Sequence, residues 1–274
     1  MNNLSHGNSI EIDGVRLACR WIGPQPDSAP TIVMLHEGLG CLELWRDFPD
    51  RLAQATGCGV FVYSRQGYGA SDSVPLPRPL SYMQDEARQV LPKLLDAIGF
   101  RRGVLLGHSD GASIAAIYAG SVEDHRVRGL VLYAPHFFVE DLGVESIAAA
   151  KLAYDSGTLK QGLAKYHGDN VECAFRGWND AWLAPGFRQW NILDCVAYIR
   201  VPILIIQGAD DEYGTLEQLR AAEQEATCPV ETVVLAGCGH APQSDQTDRT
   251  LGETARFISH LMQDHAEAGR LDEN

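Results

Sequence analysis

The chain has no apolar run approaching the ~20 residues that cross a bilayer as a helix, so it is not expected to be anchored in a membrane. Its opening stretch, Met1-Asn2-Asn3-Leu4-Ser5-His6-Gly7, has neither the basic start nor the apolar core of a signal peptide. The seven cysteines are odd in number and scattered, with no Cys-x-x-Cys pair. That pattern argues against a zinc site and against a disulfide framework, and reduced thiols in the cytoplasm are expected. Cys238 stands near His240, but no further metal-type ligands cluster with them. Cations are scarce: 22 Lys and Arg face 36 Asp and Glu, a net charge of −14. Such a chain is repelled by nucleic acid and by anionic membranes. There is no internal repeat and no low-complexity tract. These absences leave a globular protein for which no nucleic-acid or membrane partner is expected; a small-molecule substrate, no cofactor or metal, and an open oligomeric state that allows a homo-oligomer are the expectations.

What is present is an alternation. With 274 residues, 45% of them hydrophobic, the chain suffices for one large α/β domain with an insertion, or for two small domains. Ser9–Gly14 and Val15–Trp21 read as a hairpin turning at Asp13-Gly14. Continuous apolar runs at Thr31–Leu35, Gly59–Tyr63, Gly103–Leu106, Gly129–Ala134 and Val201–Ile206 read as buried parallel strands, and Val230–Leu235 as the last strand. Helical spacing appears between them: over Leu42–Ala55 with a break demanded by Pro49, over Ala87–Ile98 with a bend at Pro92, and over Arg249–His265. Thr215-Leu216-Glu217-Gln218 opens a further helix. The stretch from Glu140 to Ile199 differs in kind, being helix-like, free of strand signals, and rich in Trp and Phe. Strand–helix alternation implies a mostly parallel sheet covered on both faces, with ligands bound beyond the carboxyl ends of the strands.

The residues with chemical potential fall at such ends. Gly107-His108-Ser109-Asp110-Gly111 sits between an apolar strand and a small-residue helix, the setting of a nucleophile elbow. A serine hydroxyl is neutral at pH 7 and needs a base, and the base needs an orienting carboxylate. His240, in the glycine-rich loop after the last strand, is the candidate base. His108 lies on the wrong side of the turn. His6, His125, His260 and His265 are expected at surfaces, as is His167 in the helical stretch, while His136 follows a strand end and could line a pocket. The carboxylate comes from Asp210-Asp211-Glu212, which spacing alone leaves undecided. One donor for a developing oxyanion should be the N–H of Asp110, just after the nucleophile.

Taken together, the elbow, the Gly208-Ala209-Asp210-Asp211 turn and the Gly239-His240 turn resemble the α/β-hydrolase superfamily, in its branch of small cap-bearing esterases, lactonases and carbon–carbon bond hydrolases. The resemblance covers nearly the whole chain and implies that fold. It makes 1–139 and 200–274 the hydrolase core and 140–199 a helical cap. It selects Asp211, fourth in Gly-x-x-Asp, as the acid, with Asp210 the alternative. It takes the second oxyanion donor from His36-Glu37-Gly38-Leu39-Gly40, where the family usually has His-Gly-x-Gly; Gly38 comes first and Leu39 next. Glu37 replaces a glycine there and is expected to turn away and pair with Arg65; the sharper reading has it direct water or a substrate proton. Ser64–Ser71 resembles the family's Asp-x-Arg-Gly-x-Gly-x-Ser loop, with Ser64 for Asp and Gln66 where a glycine is often found, and reads as scaffold. Within the cap, Trp178 and Trp182 are the first choices for an apolar wall facing the substrate. The implied activity is cleavage of an ester-type bond through Ser109, Asp211 and His240. Its rivals are carbon–carbon bond hydrolysis of an acidic ring-opened substrate, which would need a cation such as Arg65, Arg176 or Arg188, and a binding protein with little turnover.

Overall fold

The apolar runs Thr31–Leu35 and Gly59–Tyr63 form β3 and β4, with every residue buried. Both faces of these strands are covered, so the run of apolar residues is unbroken. β1 (Ser9–Ile12) and β2 (Val15–Ile22) make the hairpin, and its turn residues Asp13 and Gly14 both take positive φ, as a tight twisted hairpin turn requires. β5 (Gly103–His108), β6 (Val127–Tyr133), β7 (Ile203–Gly208) and β8 (Val230–Leu235) complete an eight-stranded sheet in the order β1-β2-β4-β3-β5-β6-β7-β8. β2 is antiparallel to β1 and β4, and β3 through β8 pair in parallel. The computed structural model describes residues 9–271, so the Met1–Gly7 stretch lies outside it.

Proline punctuation acts close to where it stands. A 3-10 turn over Leu42–Trp45 ends at Arg46, and the helix Phe48–Thr56 restarts with Pro49 in its first turn, where a missing N–H costs nothing. The helix opening at Tyr82 widens to a π turn over Glu86–Val90 just before Pro92, then continues as Leu91–Ala97. Between β6 and β7 the chain forms helices Asp141–Asp155, Thr158–His167, Val171–Leu183 and Leu193–Tyr198, with no strand. The aromatics of this stretch join the same core as the sheet residues: Tyr154 stacks on Phe175 at 3.7 Å, and Phe187, in a 3-10 turn over Pro185–Gln189, stacks on Trp190 at 5.4 Å. All seven cysteines are free. Among the described residues no helix is long and apolar enough to cross a membrane.

Candidate active site

Ser109 stands alone between the end of β5 and the helix Asp110–Ser121, with φ 53° and ψ −118°. A serine in that region costs of order 1–3 kcal/mol, so its neighbours must hold it there. They do: its N–H donates to Tyr133 O at 2.9 Å, and its carbonyl accepts from the N–H groups of Ala112 and Ser113 at 2.9 and 3.0 Å. The flanking glycines are demanded by space. A Cβ at Gly107 would stand 2.3 Å from Gly111 O, and one at Gly111 would stand 2.1 Å from Leu35 O. The turn therefore presents the hydroxyl at the positive end of a helix dipole.

His240 reaches the same place from the loop after β8. Its Nδ1 donates to Asp211, at 2.8 Å from Oδ1 and 3.0 Å from Oδ2, which leaves the Nε2 lone pair free to accept a proton. Asp211 also accepts from the N–H groups of Tyr213 (2.8 Å) and Gly214 (3.2 Å) and from Gln207 Nε2 (3.3 Å). Burial works against its ionised form, but the hydrogen bonds and charge of its neighbours, His240 foremost, hold its pKa below the ordinary carboxylate value. Asp210 is exposed and, among the described residues, makes no hydrogen bond or ion pair with His240, so the geometry separates two acids that spacing could not.

His108 is not idle, as its position on the far side of the turn suggested. Its Nε2 donates to the carbonyl of His240 at 2.7 Å, and Gln243 Nε2 donates to its Nδ1 at 3.0 Å. It thereby braces the loop that carries His240. The expected Glu37–Arg65 ion pair is absent among the described residues, because the carboxylate lies instead 3.4 Å from His108 Nδ1. Burial disfavours the charged imidazole, yet the facing Glu37 raises the His108 pKa above its usual value, and Glu37 is lowered in turn.

Arg65 is wholly buried for a different purpose. Its guanidinium donates to His36 O and, at 3.0 Å, to Glu37 O. Glu37 O accepts two further bonds, from His36 Nδ1 at 2.7 Å and from the N–H of Gly40 at 3.1 Å. In a trans peptide C=O and N–H point in opposite directions. Three donors on Glu37 O therefore aim the N–H of Gly38 away from Arg65. Among the described residues that N–H donates to no protein group, and neither does the N–H of Asp110. The Ser64–Ser71 loop, read as scaffold, thus sets the direction of a candidate oxyanion donor.

Ser109, His240, Gly38, Glu37, Leu39 and His136 share one cavity of about 110 Å³ with Trp178, Trp182, Ile147 and Tyr213. Every residue expected to bind substrate is on its wall. Tyr213 lies two residues past Asp211, close enough to have been inferred from sequence; Ile147 carried no such signal. His136 is held neutral by burial and then by nearby His240, its pKa pulled down to about 3. Asp110 is buried behind the site, where its carboxylate accepts from Tyr82 OH at 2.5 Å and Trp182 Nε1 at 3.2 Å. That pair fixes Trp182 over the cavity, a role for Tyr82 not visible in the sequence. No Lys or Arg is among the lining residues. Arg176 and Arg188 are taken by surface acids, Arg176 near Asp155, Glu172 and Asp180, and Arg188 with Asp141. His167 is buried rather than exposed, bonded on both ring nitrogens to the loops after β3 and β4. His125 and His260 are at the surface; His6 and the His265 side chain lie outside the described residues. Among the described residues no cluster of three or more His, Cys, Asp or Glu is arranged to hold a metal ion.

A strand–elbow–helix serine, an Asp–His pair just past the ends of β7 and β8 and a parallel sheet beneath them define an α/β-hydrolase arrangement. The profile of the alpha/beta hydrolase family matches residues 32–253, and the chain belongs to that family. It is 24% identical over 266 residues to a proline iminopeptidase of Lactobacillus helveticus, covering 84% of this chain and 89% of that protein. Its fold is that of an esterase from Exiguobacterium antarcticum, with a TM-score of 0.74 at 19% identity over 92% of this chain and 99% of the other. It also matches the enol-lactonase from Burkholderia xenovorans, with a TM-score of 0.71 at 19% identity and the same coverage.

Proposed function

We propose that this protein is a carboxylesterase-like serine hydrolase that cleaves an uncharged ester-type bond through an acyl-enzyme. The observation that carries this reading is Ser109, held at positive φ, on the wall of one cavity with an Asp211-oriented His240. Ser109 Oγ attacks the carbonyl while His240 Nε2 takes its proton, and Asp211 stabilises the imidazolium. The N–H groups of Gly38 and Asp110 receive the oxyanion. His240 returns the proton to the leaving group, then activates the water that releases the acid. Helices 140–199 act as the cap, closing the acyl pocket with Trp178, Trp182 and Ile147. A cavity of about 110 Å³ suits a short acyl group. With no cation on its wall, an acidic ring-cleavage product or a coenzyme A thioester has nothing to neutralise it, so a neutral ester or lactone is preferred.

A second reading rests on Glu37, the only acidic residue on that wall among the described residues. It favours an acyl group bearing an ammonium, such as an N-terminal amino acid, in keeping with the relative named a proline iminopeptidase. Aryl esters of alanine and of propionic acid separate the two readings by their kcat/KM ratio. Ser109→Ala is the test of both: it should abolish aryl-ester turnover and labelling by a fluorophosphonate. Full activity in that variant refutes the proposal, and tight ligand binding by the unaltered protein with negligible turnover across an ester panel would make it a binding protein instead.

A further inference from the structure

The turn that carries the Gly38 N–H is gripped from two sides, and one grip comes from the inserted helices. His167 ends the helix Thr158–His167 and is 2% exposed. Its Nε2 lies 3.0 Å from Leu39 O, and its Nδ1 lies 3.0 Å from the backbone N of Gly69. A carbonyl only accepts and an amide only donates, so the ring is the neutral tautomer with its hydrogen on Nε2. Leu39 O and the Gly40 N–H belong to one peptide and point oppositely. Gly40 N–H is one of the three donors on Glu37 O, which in turn sets the Gly38 N–H. His167 therefore connects to the candidate oxyanion donor through two rigid peptide planes.

We propose that His167 is a positioning residue for the oxyanion turn, so that the inserted helices complete the oxyanion site by holding Leu39 O. This rests on the serine-hydrolase reading above. The neighbouring Asn170 provides the contrast. Its Nδ2 donates to Gly69 O (3.1 Å) and Ser71 O (2.6 Å), tying the same helical segment to the same loop without touching the turn.

Three variants separate positioning from anchoring. Gln places an amide where Nε2 was, so His167→Gln keeps the bond to Leu39 O and loses the one to Gly69. Asn places its carbonyl where Nδ1 was, so His167→Asn does the reverse. Asn170→Ala removes anchoring bonds only. Removing an oxyanion donor outright costs roughly 10²–10³-fold in kcat, and here the donor stays but loses one of its supports. His167→Asn should therefore lower kcat for a short-chain aryl ester about tenfold with KM little changed. His167→Gln and Asn170→Ala should stay within about threefold of the unaltered protein. Affinity for a boronic acid, which forms a tetrahedral anion on Ser109, should fall with kcat in His167→Asn. Equal losses in His167→Asn and Asn170→Ala, or equal kcat in the Asn and Gln variants, would overturn the proposal. If His167→Asn does not fold, a tenfold fall in kcat in either remaining variant also overturns it. Ser109→Ala tests the underlying reading separately, since it abolishes turnover whatever His167 does.

Discussion

Gly38→Ala tests how closely the helices between β6 and β7 pack on the turn after β3. Gly38 has no positive φ, so alanine is acceptable to its backbone. The obstacle is Trp178, whose Cδ1 and Nε1 both lie 2.2 Å from where the new Cβ would stand. Carbon atoms rest at about 3.5–4.0 Å, so the two groups must separate by about 1.5 Å. Either the indole gives or the turn gives. The turn is secured by three donors on Glu37 O, whereas Trp178 makes an edge contact with Phe175 at 6.2 Å. The indole is therefore expected to move, at the roughly 1–3 kcal/mol typical of overpacking. Because Trp178 lines the cavity, KM for a short aryl ester should rise while kcat falls less than about tenfold; displacing the turn itself by about 1 Å would cost about 10²-fold. The decisive measurement is a double-mutant cycle by urea denaturation. Trp178→Ala makes room, so adding Gly38→Ala in that background should cost under about 0.5 kcal/mol, a coupling of about 0.5–3 kcal/mol. Equal costs in both backgrounds would refute the reasoning, as would a collapse of kcat at unchanged stability.

Two further outcomes follow from the acids and histidines. Asp211→Asn should lower kcat about 10⁴-fold by holding His240 in the wrong tautomer, with its hydrogen on Nε2, and KM should be nearly unchanged. Asp210→Asn should leave kcat within about twofold, as surface substitutions generally do, and stopped assays on the pair decide between them. Buried His136 has a pKa of about 3, against an ordinary value of 6.5. Above pH 6.5 its neutrality costs nothing. Below it the unfolded chain takes up a proton that the folded protein refuses, so stability is lost as pH falls towards 3, at about 1.4 kcal/mol per unit. Between pH 6.5 and 5 the unaltered protein should therefore lose about 2 kcal/mol more than His136→Asn, measured by denaturant midpoints at each pH. Parallel slopes would show that His136 does not titrate between the two states.

The strands were legible because burial on both faces leaves an unbroken apolar run, a signal that needs no knowledge of partners. The elbow was legible for a similar reason. Its residues are contiguous, with two glycines and a helix directly behind, although a Cβ at Gly107 would strike the elbow's own backbone and one at Gly111 would strike Leu35 O of β3. Asp211 was half legible. Its Oδ1 accepts from the N–H groups of Tyr213 and Gly214, bonds a short loop can form within itself, but its claim on His240 depends on the loop after β8.

The misreadings share a cause of another kind. Charge alone matches Glu37 with Arg65, as though an ion pair were the best use of a buried guanidinium. Arg65 instead serves the carbonyls of His36 and Glu37. Those belong to a turn outside regular structure, where no strand or helix supplies donors, and a buried carbonyl left without a partner costs about 1–3 kcal/mol. A planar fork of donors meets two such carbonyls at once, which an ion pair with Glu37 would forfeit. His167 follows the same logic. Lys165-Tyr166-His167-Gly168-Asp169 reads as surface by composition, yet its histidine is drawn inward by Leu39 O and the Gly69 N–H, two backbone groups that irregular loops leave open. The turns themselves could be read from glycine spacing, and with them the certainty that polar side chains must come to satisfy their backbone. Which side chains come is decided by the folded arrangement of distant segments, and at this site the answer places Arg65, His108 and His167 around the groups that Ser109 and His240 require.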